Sequence, residues 1–136
     1  MARKARTAVL WTLSLLLAAL FLMSGLGKLL NGATSGGVRF DAQFVLWGYP
    51  AWFRFPVGAA ELAGAVGLLV PRLRFHAAAG LVLLMAGATA THLRIGESAA
   101  VPIPFTLGLL AAAVAWLARP AWVQERLSRR RPAQVA

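Results

Sequence analysis

Apolar residues gather into four long runs separated by shorter, more polar connections. The runs cover residues 8–30, 55–70, 75–93 and 101–118. A helix rises about 1.5 Å per residue, so roughly 20 residues cross a hydrocarbon core about 30 Å thick. Runs of this size, with almost no charge inside them, predict four membrane-spanning helices.

The connections shape the bundle. Pro71-Arg72-Leu73-Arg74 is so short that the second and third runs must form an antiparallel hairpin. Pro102 and Pro104 open the fourth run, where a missing amide proton costs little. The long connection, residues 31–50, begins with Gly32, Gly36 and Gly37 and continues with Phe40, Phe44 and Trp47, spaced as one face of a short helix. That spacing predicts an interfacial helix over the outer mouth of the bundle, with Gly48-Tyr49-Pro50 turning the chain into the second span.

Small residues recur inside the runs: Ser24, Gly25 and Gly27; then Gly58, Gly64 and Gly67; then Gly80, Gly87 and Ala88; and finally Gly108 and Ala111 to Ala113. Lipid tails are as apolar as leucine, so helices in a bilayer associate by close packing, which small residues permit. The expected fold is all-α, a single integral membrane four-helix bundle with basic tails at 1–7 and 119–136.

Charge sets the orientation. Arg3, Lys4 and Arg6 precede the first run, Arg72 and Arg74 lie in the hairpin turn, and Arg119, Arg126, Arg129, Arg130 and Arg131 follow the last. Ten of the fourteen basic residues therefore fall on one side, which the positive-inside rule makes cytoplasmic, facing anionic headgroups. Lys28, Arg39, Arg54 and Arg94 remain outside. Trp11, Trp116 and Trp122 near one face, and Trp47, Tyr49, Trp52 and Phe53 near the other, suit the two headgroup levels. The expected location is the inner membrane, with both termini in the cytoplasm.

A net charge of +10 suggests nucleic acid in a soluble protein, but here the basic residues flank spans and nucleic-acid binding is not expected. With no cysteine, thiol exchange and thiolate metal sites are excluded for this chain. The first run follows a basic segment like a signal peptide, yet it is too long and lacks an A-x-A site, so it reads as a retained span.

Polar residues at membrane depth carry the candidate chemistry. Glu61 sits about two turns below the outer surface on the same face as Gly58 and Gly64. An ionised carboxylate there costs several kcal/mol unless it faces the interior or is paired. Lys28, on the last outward turn of the first span, has a stem long enough to reach it. His92 comes to a similar level on the third span, with Thr89 three residues before it, and Asn31 and Arg94 stand at the rim. His76 lies at the other end of that span, so a metal site is not expected. Three readings of the Lys28–Glu61–His92 cluster remain open: a network fixing helix register, a small-molecule or proton-handling site, and a contact for a partner's span.

The order and placement of these pieces resemble the DoxX-like family of small four-span membrane proteins. The carrying segments are Phe21-Leu-Met-Ser-Gly25-Leu-Gly-Lys28-Leu29, Gly48-Tyr49-Pro50, Gly58-Ala-Ala-Glu61-Leu62-Ala-Gly64 and Gly87-Ala-Thr-Ala-Thr-His92-Leu, and the likeness covers residues 8–118. The resemblance implies a four-helix membrane bundle with Lys28, Glu61 and His92 at the family's polar positions. Some relatives serve membrane redox assemblies, including a quinone-reducing thiosulfate oxidoreductase and an oxidative-stress complex. The expected function is thus a non-enzymatic membrane accessory or assembly subunit with a membrane-protein partner. The alternative is a quinone-linked oxidoreductase subunit exchanging protons at Glu61 or His92. A small transporter is a weaker third. No cofactor is expected to be bound firmly by the chain itself, and any redox role calls for a quinone or a partner-borne group.

Overall fold

The computed structural model describes residues 2–129. Arg130 and Arg131, with the rest of the expected basic tail, lie outside them. Among the described residues six α-helices follow one another: α1 (Arg3–Leu29), α2 (Phe40–Leu46), α3 (Arg54–Leu69), α4 (Arg74–Arg94), α5 (Pro102–Ala118) and α6 (Ala121–Arg129). Short 3₁₀ turns at Ala51–Phe53 and Ser98–Ala100 lead into α3 and α5. Among the described residues there is no strand, only one isolated bridge between Ala33 and Arg39.

Local chemistry sets the helix ends. α1 stops because Asn31 takes a left-handed backbone (φ 55°) and the Gly32 amide turns back to the Gly27 carbonyl at 2.8 Å. The guanidinium of Arg54, at the start of α3, donates to the free Lys28 and Leu29 carbonyls and complements the negative end of α1. α3 ends just before Pro71, and α5 opens on Pro102. Extended backbone at Arg119 before Pro120 separates α5 from α6, a helix not foreseen in the tail.

α1 packs on α3 and α5, and α4 packs on the same two. Leu17, Ala18, Phe21, Ala65, Leu68, Ala78, Leu81, Met85, Ala111 and Val114 form the core between them. Glycines set the spacing. A Cβ built on Gly64 would stand 2.6 Å from the Leu81 side chain, and one on Gly67 would stand 2.6 Å from the Ala77 Cβ. The α3–α4 hairpin is therefore tight near its turn.

At that end Arg6 donates to the Leu117 carbonyl, the Arg74 guanidinium lies 4.1 Å from the Trp11 ring centre, and Phe75 meets Trp122 edge-on. The N-terminus, the 70–74 turn and the end of α5 are thus gathered at one pole. At the opposite pole α2 presses Phe44, 3% exposed, onto the bundle.

The distribution of polarity inverts that of a water-soluble protein. Leu15, Leu16, Met23, Leu83, Ile103, Phe105 and Leu109 face outward, while Lys28, Glu61, Arg74, Ser14 and Thr91 are buried. Three helical segments are long and apolar enough to cross a membrane: Arg3–Leu29, Arg74–Arg94 and Ser98–Ala118. α3, with 16 residues, extends about 24 Å and falls short of them.

Candidate functional site

α1 and α3 meet at their glycines. Gly25 and Gly58 are both buried, and each would drive an added Cβ to within 3 Å of the other's carbonyl oxygen. Lys28 lies one turn beyond Gly25, and Glu61 one turn beyond Gly58, on antiparallel helices. Side chains on a helix lean toward its N-terminus. Lys28 therefore leans down α1 and Glu61 leans up α3, and they converge beside the glycine contact.

The convergence is close. Lys28 Nζ donates to Glu61 Oε1 at 3.0 Å, to Glu61 Oε2 at 2.9 Å and to Ser24 Oγ at 2.7 Å. Ser24 Oγ in turn donates to Glu61 Oε1 at 3.2 Å. The side chains are only 10% and 4% exposed. The Phe40 ring, whose centre is 4.9 Å from Nζ, covers the ammonium. Both charges are thus paired, hydrogen-bonded and shielded, the condition under which a buried ion pair is tolerated.

His92 and Thr89 do not join this pair. His92 Nδ1 lies 2.8 Å from Glu97 Oε2, and Trp47 Nε1 donates to the same oxygen at 3.2 Å. Thr89 donates to the Met85 carbonyl of its own helix. Arg94 donates to the Trp47 carbonyl and stacks near Tyr49. Asn31 Oδ1 accepts from the Asp41 amide at 2.8 Å, opening α2. The Asn31 side chain, followed by the Ala42 amide, holds the Asp41 carboxyl below the usual carboxylate range.

What links the two groups is a cavity of about 420 Å³ in this half of the bundle. Lys28, Glu61 and His92 all line it, whereas Thr89, Asn31 and Arg94 do not. Its roof is aromatic: Phe44, Trp47, Tyr49 and Phe53. Its walls are mostly apolar, and the volume falls within the roughly 300–1,000 Å³ typical of small-molecule sites. Leu20, Leu83 and Ile103 line the cavity and are also 40%, 75% and 65% exposed, so it opens sideways through the apolar flank.

Several residues of this site escape a reading of the sequence. Thr91 continues the row Leu84, Ala88 on α4, and its hydroxyl meets the Tyr49 hydroxyl at 2.7 Å. Helical spacing alone favours Thr91 over Thr89 once the Leu84 face is known to be inward. Glu97 gave no signal, because a carboxylate in a polar connection usually faces water. Ser24 and Tyr49 have other sufficient roles, in packing and at the interface.

No curated protein and no solved structure matches the sequence. A model of the DoxX-like family matches residues 12–114, from the first turns of α1 to the core of α5, and so includes Lys28, Glu61 and His92. With its long apolar helices and apolar exterior, this chain is an integral membrane protein and belongs to the DoxX-like family.

Proposed function

We propose that the protein is a four-span accessory subunit of the inner membrane that holds a lipid-soluble small molecule of quinone type and supports a membrane redox assembly. The observation that carries this reading is the 420 Å³ apolar chamber with Lys28, Glu61 and His92 in its wall and openings on the lipid-facing flank. In this reading α3 is the fourth span, and the basic pole lies in the cytoplasm. There Arg119, just before α6, and Arg126 and Arg129 on it meet anionic headgroups. α2 then lies at the outer interface as a cover.

A holding role has better support than a chemical one. The Glu61 carboxylate already accepts three hydrogen bonds, and His92 is turned to Glu97. The second reading, proton exchange between a docked quinone and Glu61 or His92, draws on their place in the chamber wall.

Glu61→Gln separates the two. In purified membranes, the accessory reading expects lower protein stability and lower recovery of a partner, with quinone-dependent turnover falling only in proportion. Turnover lost from a fully assembled complex would favour the second reading.

A further inference from the structure

A count of hydrogen-bonding capacity in the chamber wall gives an asymmetric result. The Lys28 ammonium is taken up by Ser24 Oγ and by both Glu61 oxygens, and the Phe40 ring covers it. The Ser24 hydroxyl proton goes to Glu61, and the Trp47 indole proton goes to Glu97. The Thr91 hydroxyl donates to the Gly87 carbonyl at 3.0 Å, so in the Tyr49–Thr91 contact the tyrosine must be the donor. Every side-chain donor with a fixed proton in this wall is therefore engaged.

The acceptors are not exhausted. A carboxylate offers about four acceptor sites, and Glu61 uses three, leaving one on Oε2. Tyr49 Oη donates and retains its lone pairs. A neutral His92 ring that donates through Nδ1 to Glu97 keeps Nε2 as an acceptor. The Lys28 and Glu61 charges cancel within their pair and Glu97 does not line the chamber, so a charged occupant would find no free counter-ion in the wall.

We infer that the chamber selects a neutral, lipid-soluble molecule carrying a hydroxyl donor on an apolar body, an alcohol, phenol or hydroquinone, over the matching ether, ester or ketone. The inference rests on the chamber being a binding site, and it names which chemical form that site keeps. A hydroxyl satisfies a spare buried acceptor. A carbonyl or ether head brings a second acceptor against it and leaves both without a proton. For a quinone-type occupant, the reduced form is the one held.

The test uses 4-hexylphenol and its O-methyl ether, which differ only in the donor. Binding is measured on the full-length protein in lipid nanodiscs, with affinities referred to the lipid phase. Wild type should bind the phenol at least about tenfold more tightly, the equivalent of one hydrogen bond. Ala88→Phe, which fills the chamber, should abolish binding of both probes. Gly87→Phe serves as a second blocking variant, because Gly87 lines the chamber and a Cβ there meets nothing within 4 Å. Equal affinities that both variants abolish would overturn the donor rule while leaving the chamber standing. Absence of binding, or binding indifferent to both variants, would overturn the chamber reading and the inference with it.

Discussion

Gly25 and Gly58 stand back to back: a Cβ on Gly25 would lie 2.8 Å from the Gly58 carbonyl oxygen, and one on Gly58 would lie 2.9 Å from the Gly25 carbonyl oxygen. The obstacle on each side is backbone, which cannot rotate away as a side-chain tip can. This contact sets the separation of α1 and α3, and with it the reach of Lys28 to Glu61.

Substitution at either glycine should therefore be costly. Gly25→Val or Gly58→Val is expected to lower stability by about 1–3 kcal/mol from overpacking alone, and by more if the ion pair opens. Gly80→Ala, where nothing lies within 4 Å of the added Cβ, should be neutral or slightly stabilising. Unfolding in mixed micelles measures the contrast, and equal effects at Gly25 and Gly80 would contradict it.

The Lys28–Glu61 pair should show strong coupling. Lys28→Met or Glu61→Leu alone leaves a buried charge without its partner and is expected to cost about 3–5 kcal/mol. The double variant should recover much of that loss, since two apolar residues replace a desolvated pair. A double-mutant cycle with additive losses would show that the two groups do not interact in the membrane.

The aromatic roof is fastened at Glu97, which takes protons from Trp47 and the His92 ring. Glu97→Ala removes both hydrogen bonds. Amide exchange across residues 44–53 should then rise by up to about tenfold for each of the two, with the α1–α3 core unaffected. Unchanged exchange in this segment would mean that packing of Phe44, Trp47, Tyr49 and Phe53 alone holds the roof.

Asp41 gives the loop a pH dependence. Its carboxyl is held low by Asn31 and the Ala42 amide, so the ionised form favours the ordered loop. The contribution is fully present above the ordinary carboxyl value near 3.8 and falls away as pH drops through the lowered folded value. Loop exchange should accelerate on acidification below that range in the wild type and show a flatter response in Asp41→Asn.

The all-α fold and its long apolar helices were legible because their signals are long and one-dimensional. The helices α1, α4 and α5 lie within a few residues of the apolar runs, since membrane-length stretches and flanking prolines leave little freedom. The Lys28–Glu61 approach was legible too, because each lies three residues beyond a glycine on its own helix. The chamber was not. It depends on a roof from a loop whose path follows from Asn31, Gly37 and Gly48 turning left-handed. Such angles are set by tertiary packing and leave no periodic trace. α6 was hidden behind its arginines, which account for the tail's composition without requiring a helix.

The most direct measurement is native mass spectrometry of the protein released gently from its own membrane, wild type beside Ala88→Phe. One neutral small molecule should accompany each wild-type chain and be missing from the variant. A wild-type chain with no such companion, or an adduct equally abundant on Ala88→Phe, would contradict a chamber built to hold a lipid-soluble molecule.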